Sequence, residues 1–267
     1  MKTKLIILGC GNSMGTPRID GYWGDCDKKN KKNYRTRCSA IIVRGSNSIL
    51  IDTSPDIRKQ LLDNKISAIT SVVYTHEHSD QTNGLFELRP FAFEKKKGKI
   101  VDFWKSNKPI NVYGSKKTIT QLRNRFDYCF KKIDIYPPIV KANYIKKTFV
   151  LGKKNEKIKF NTIEAQHGNI KITGYIFNKT AYLSDCNDMN IVKRKELKKL
   201  KYLIIDCLNI RGGLAHFGLN ECIIINEILK PKKMILTNLH YTLDYNSLLK
   251  KVPKNIIPAY DGLQIEL

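Results

Sequence analysis

Ile69-Thr70-Ser71-Val72-Val73-Tyr74-Thr75-His76-Glu77-His78-Ser79-Asp80-Gln81 is the stretch on which the reading of this chain turns. An apolar, β-branched run of strand type ends in His-x-His-x-Asp. Two imidazoles two residues apart, with a carboxylate two further on, converge on one point if the chain turns where the strand stops. Imidazole suits Zn, Fe, Ni or Cu, and a carboxylate oxygen adds Mn to the choice. The plain alternative is a polar exposed loop. Only five histidines occur in the chain, and two of them are here.

Outward from this point, 267 residues with 42% hydrophobic content are enough for a sizeable core. No Ser/Gly-rich linker divides the chain, so one domain over residues 1–267 is expected. No run approaches the 18 or so apolar residues of a membrane span. The opening Leu5-Ile6-Ile7-Leu8 is followed by Gly9 and is a first strand, not an export signal. The seven cysteines are odd in number and never spaced Cys-x-x-Cys, which suits free thiols in a reducing cytoplasm.

The net charge of +24 invites RNA as a partner. Lysine dominates the basic residues, however, and they are scattered: 28–32, 95–99, 146–147, 153–159 and 193–201. A solvated lysine-rich surface, with some attraction for a small phosphorylated substrate, accounts for them equally well.

Short β-like runs alternate with fewer helical ones. Strands are expected at Lys4–Leu8, Ala40–Arg44, Ser48–Asp52, Ser71–Tyr74, Ile110–Tyr113, Ile158–Glu164, Ile172–Phe177, Thr180–Ser184, Tyr202–Asp206, Lys233–Thr237 and Leu263–Glu266. Helices are expected from Pro55, Gly84, Ser115, Asn190, Leu219 and Asp244, the first with Ser54 as its N-cap. Many strands with few helices argue for an α/β (α+β) sandwich. Gly9–Cys38 and Phe91–Lys108 are long loops, and such loops are often functional. Several strands stop at His or Asp: Asp52, His167, Asp185, Asp206, and, past the run Met234–Leu239, His240; His216 lies just before a helix. Strand ends on one edge are where ligands distant in sequence meet.

With these pieces assembled, the chain resembles the metallo-β-lactamase superfamily of metallohydrolases. The matching residues are Ile51-Asp52-Thr53, His76/His78/Asp80, His167, Asp185 and the segment around Asn238. The opening Leu8-Gly9-Cys10-Gly11-Asn12-Ser13-Met14-Gly15-Thr16-Pro17 is similar to ribonuclease Z and to the cyclic phosphodiesterases of the carbon–phosphorus lyase pathway. Trp23-Gly24-Asp25-Cys26, Tyr34–Ser39, Ala215-His216 and Tyr260–Ile265 favour the second.

The resemblance implies a four-layer αββα sandwich with a metal site along one edge. It implies a first ion, Zn or Mn, on His76, His78, His167 and Asp185. A second ion would use Asp80 and two further histidines, but Gln81 and Asn238 stand at those positions. Neutral amides are weak ligands beside imidazole, so a second ion is expected to be weak or absent, unless His240 substitutes. With only Cys26 between Gly11 and Cys38, no structural zinc is expected, and packing of Trp23 together with the loop's own hydrogen bonds is the expected pin for that loop. The implied activity is metal-dependent hydrolysis of a small cyclic or nucleotide-like phosphodiester. Asp80 and His216 would act catalytically, Asp52 and Asp206 would orient the ligating histidines, and Arg35 and Arg37 would contact phosphate. Backbone N–H groups at the helix start beside His216 would add anion donors. A ribonuclease Z-like nuclease, a thioester or lactam hydrolase and a catalytically weak binding protein are the competing functions. Relatives of this kind often form homodimers.

Overall fold

The computed structural model describes residues 2–93, 95, 96, 99, 100 and 107–267. The chain folds as two mixed seven-stranded sheets flanked by helices. In chain order the strands are β1 (Thr3–Gly9), β2 (Ser39–Arg44), β3 (Asn47–Ile51), β4 (Ser71–Val73), β5 (Lys95–Lys96), β6 (Lys99–Ile100), β7 (Ile110–Gly114) and β8 (Val140–Tyr144). There follow β9 (Thr148–Leu151), β10 (Ile158–His167), β11 (Ile170–Phe177), β12 (Thr180–Leu183), β13 (Tyr202–Asp206), β14 (Lys233–Thr237), β15 (Ile256–Pro258) and β16 (Leu263–Glu266). One sheet has the order β16-β1-β2-β3-β4-β7-β8 and the other β15-β14-β13-β12-β11-β10-β9.

Each sheet is half antiparallel and half parallel. The parallel halves are β3-β4-β7-β8 and β12-β13-β14-β15. Parallel strands stop together, so the residues that follow them line one edge. Asp52 and Asn238 each follow such a strand directly, Thr75 and Asp185 follow one residue later, and Asp206 ends one.

Alternation along the strands sends side chains to two cores. Leu5, Ile7, Ile42, Ile49 and Ile51 share one cluster with Tyr175, Leu183, Ile205 and Leu236 of the other sheet. Ile6, Leu8, Ile41, Leu50 and Val72 point the other way, into a cluster with Ile57 and Leu61 of α1 (Ile57–Asp63) and Ile119 and Leu122 of the helix Lys116–Arg125. Of the helix Leu219–Leu229, Cys222, Ile225 and Leu229 join the first cluster.

All eleven expected strands are present, and the differences have physical reasons. β8, β9 and β15 went unforeseen because they are short sheet edges, with polar or half-exposed residues and, in β15, Pro258. β10 runs on to His167, which therefore ends a strand. Ser54 is not the N-cap of α1: Asp56 holds that position without a side-chain cap bond, and its carboxylate takes the Arg37 N–H at 2.9 Å and Arg37 Nε at 2.8 Å. The starts near Gly84 and Asn190 are 3-10 turns, Leu85–Phe91 and Met189–Lys193. Half of the loop expected over Phe91–Lys108 lies outside the described residues, and the described part carries the unforeseen short strands β5 and β6. All seven cysteines are free and buried, and among the described residues no helix is long and apolar enough to cross a membrane.

The closing Asp261 ties the first loop to the sheet. Its carboxylate accepts the Cys10 N–H at 3.0 Å and the Thr36 N–H and hydroxyl at 2.7 and 2.6 Å. Burial pushes this carboxyl up from 3.8 to about 6, against those three donors. The folded chain therefore holds this proton more tightly than the unfolded chain does. The stabilisation it brings is complete below pH 3.8 and is lost as pH rises through about 6. The stability difference between wild type and Asp261→Asn, measured by urea unfolding, should shrink by about 3 kcal/mol between pH 3.5 and 7. A pH-independent difference would contradict this.

Candidate metal centre

His76 follows β4 and is fully buried. Asp52, at the end of β3 with a left-handed φ of 61°, accepts both the Thr75 N–H and the Thr75 hydroxyl at 2.8 Å. That hydroxyl, its own proton given to Asp52, accepts His76 Nδ1–H at 3.0 Å. The ring is thereby oriented and its Nε2 lone pair left free. Burial, then the neighbouring His78 and His167, hold the His76 imidazole well below its usual range, so it is neutral. Its Nε2 is buried with no hydrogen-bond partner.

His167 is fixed in the same sense: its Nδ1–H donates to the Ala215 carbonyl at 2.7 Å. Burial lowers its pKa to about 4, the carbonyl opposing. The rings of His76, His78 and His167 meet edge-on, with centroids 4.6, 5.3 and 5.2 Å apart. Their ligand atoms form one group within 4.8 Å; those of His167, Asp185 and His216 form a second.

Asp185 is buried, and burial, then Asp206 and Asp80, push its carboxyl well above the usual range. Gln81 Nε2 donates to its Oδ2 at 3.0 Å and Asn238 Nδ2 to its Oδ1 at 3.1 Å. The other Asn238 amide proton goes to Asp206 Oδ1, also at 3.1 Å. His216 Nδ1–H donates to Asp206 Oδ2 at 2.8 Å. Burial opposes a charge on His216, but Asp206, Asp185 and Asp80 outweigh it and raise its pKa to about 9.

Neutral imidazoles with lone pairs turned to one point, beside crowded buried carboxylates, make a donor set that suits a divalent cation. The unpartnered His76 Nε2 is the clearest sign of that fit. His78, Asp80, His167, Asp185, His216, Asn238 and His240 all line a cavity of about 340 Å³, together with Asn12–Met14. A cavity of about 370 Å³ around Asn47, Ser71 and Glu156 is lined by no histidine or cysteine.

Several expectations are corrected by this geometry. Asp52 acts on His76 only through Thr75, and Asp206 orients His216, not one of the three clustered histidines. His240 belongs to neither ion group: its Nδ1 pairs with Thr242 Oγ1 at 3.0 Å and its ring stacks on Tyr241. Asp80 lines the cavity but also stands outside both groups. The Gly218 N–H beside His216 is taken by Glu221 Oε2, so it is not free for an anion.

Arg35 is no phosphate contact: it is buried and donates to the carbonyls of His240 and Leu243 at 3.1 and 2.6 Å and to Asn33 Oδ1 at 3.1 Å. Arg37 is engaged with Asp56. Arg35, itself in the early loop, pins that loop through these hydrogen bonds. Sequence reasoning missed Thr75, Ala215 and the role of Arg35. Only Thr75 carried a local signal, as a hydroxyl next to a ligating histidine.

A sheet edge that gathers three imidazoles and a buried carboxylate is the arrangement of the metallo-β-lactamase fold. The chain belongs to the beta-lactamase superfamily, whose domain model matches residues 47–241. It is similar to a diphosphatase of the PhnP family, with 29% identity, a TM-score of 0.83 and coverage of 100% of this chain and 98% of that one. Zn(2+)-bound PqqB from Methylobacterium extorquens shares the fold, with a TM-score of 0.75 and 15% identity over 99% of this chain and 100% of that one. An octanoyltransferase of Porphyromonas gingivalis is 28% identical over 266 residues, which are 98% of this chain and 51% of that protein. The chain thus spans about half the length, or less, of the curated relatives it matches.

Thr75→Val removes the link between Asp52 and His76 while nearly keeping volume. Zinc affinity, measured by chelator competition, should fall by about 10–100-fold; unchanged affinity would contradict the relay. Arg35→Ala should lower unfolding free energy by about 3 kcal/mol or more, because two buried carbonyls lose their donor. Equal denaturation midpoints would contradict that role.

Proposed function

We propose that this chain is a metal-dependent phosphoric ester hydrolase, acting on a small phosphodiester or diphosphate with one tightly held Zn or Mn ion. The cluster of His76, His78 and His167, with Asp185 grouped beside His167 and His216, on a cavity lined by His78, His167, Asp185 and His216 carries this reading. The similarity along nearly the whole chain to a protein named as a diphosphatase supports phosphoryl chemistry. The octanoyltransferase name belongs to a protein of which this chain matches half, and it supplies no acyl-transfer reading.

His76, His78, His167 and Asp185 would hold the ion. When bound, it supplies a Lewis acid for a phosphoryl oxygen and lowers the pKa of a water. Asp80, on the cavity wall and outside the ion groups, accepts the proton of the attacking water. His216 is fixed through Nδ1 by Asp206, which leaves Nε2 for the substrate. Asp206 stabilises the protonated ring, which binds phosphate oxygen and donates its proton to the leaving oxygen. Gln81 and Asn238 each give an amide proton to one oxygen of Asp185. Both amides stand at the positions where the resemblance implies ligands of a second ion.

Hydrolysis of bis(p-nitrophenyl) phosphate tests the assignment. His216→Ala should lower kcat about 100-fold, the scale of a lost general acid, with KM changed less than about threefold. Unaltered turnover would remove His216 from the reaction, and no turnover by metal-loaded wild type on any phosphodiester or diphosphate would overturn the reading. The pair Gln81→His and Asn238→His should add a second metal equivalent. Failure to gain one would contradict the role given to the two amides.

A further inference from the structure

Beside the cavity, the early loop and the segment after β14 build a row of flat side chains that the hydrolytic residues do not use. His240 lines the cavity and stacks on Tyr241, with centroids 3.6 Å apart and an interplanar angle of 36°. Tyr241 meets Tyr22 edge-on at 5.3 Å. The Arg18 guanidinium lies 5.4 Å from the Tyr22 ring centroid and 5.7 Å from that of Tyr241. Met14, 43% exposed, lines the same cavity, and Tyr22 is 53% exposed. Exposed aromatic surface next to a polar cavity gains free energy if a flat ring covers it.

The row is held in place. Gly24 has φ of 55°, and a Cβ there would meet Tyr241 Cδ2 at 2.5 Å and its carbonyl oxygen at 2.6 Å. Only glycine lets the loop close this tightly on Tyr241. The Asp25 N–H donates to the Tyr241 carbonyl at 3.0 Å, and the turn from Arg18 to Tyr22 is closed by the Arg18 N–H on the Tyr22 carbonyl at 2.9 Å. Arg35 fixes the next carbonyl back, that of His240. The rings are thus placed before any ligand arrives, and little ordering cost remains for binding.

We propose that Tyr22, Tyr241 and Arg18, continued into the cavity by His240 and Met14, form a nucleobase subsite, so the substrate is a nucleotide-type phosphate ester. This inference rests on the phosphoryl reading of the cavity. A base stacks on the aromatic row while its phosphate reaches the histidine cluster; Arg18, whose charge is paired with Asp20, adds a flat guanidinium face over the two tyrosines. Aromatic faces accept any base, so the subsite selects for the presence of a base more than for its identity.

AMP and ribose 5-phosphate differ only in the base, and calorimetric titration of the metal-loaded protein with each separates the two levels of the claim. Wild type should bind AMP about tenfold more tightly, within the range of one base–aromatic stack. Tyr22→Ala should remove that preference and leave ribose 5-phosphate binding unchanged, while Tyr22→Phe should retain it. Equal binding of the two ligands by wild type, or a preference that survives Tyr22→Ala, would overturn the nucleobase subsite alone. Binding of neither ligand would overturn the phosphoryl reading, and the subsite with it.

Discussion

Two amide groups hold the buried carboxylate of Asp185, and the whole functional edge is arranged around that bracket. Gln81 reaches it from the short helix Ser79–Thr82, which begins inside His-x-His-x-Asp, and Asn238 from just after β14 in the other sheet. The bracket therefore joins the two sheets at their shared edge. A buried carboxylate near Asp206 and Asp80 is costly unless donors or a cation face it. Amide dipoles supply part of what it needs and cannot supply a full positive charge. The remaining demand falls on the side of His167 and His216, whose ring nitrogens group with Asp185.

Much of this edge was legible in the sequence, because its logic is local. Val72-Val73-Tyr74 marks a strand, and the turn that must follow a parallel strand brings His76 and His78 together. Asp52, Asp185 and Asp206 could be found by the same signal of an apolar run ending in an acid. What each acid does was not legible. Asp52 reaches Thr75 only because Ile51 pairs with Val73 across β3 and β4, and register of that kind is set by the assembled sheet. Ala215 became the partner of His167 through a loop carbonyl, and every residue has one to offer.

Arg35 shows the limit from the other side. An arginine in a charged loop is usually solvated, and the resemblance made Arg35 a phosphate contact, which needs a free guanidinium. Its donors instead find the carbonyls of His240 and Leu243, about 200 positions away, and Asn33, itself bound to Asp244 at 2.6 Å. Because those carbonyls belong to the segment that carries Asn238, His240 and Tyr241, the same cation that ties down the loop also shapes one wall of the cavity. The edge strands β8, β9 and β15 escaped for a simpler reason: half-exposed strands carry too few buried positions to show a period.

Metal per chain is the measurement that bears most directly on this account. Protein purified without added metal, then equilibrated with excess zinc and desalted, should retain one equivalent by elemental analysis. Two equivalents would mean that His216, with Asp185 and His167, completes a second site despite the amides. That result would contradict the single-ion centre, and retention of no metal would contradict the centre altogether.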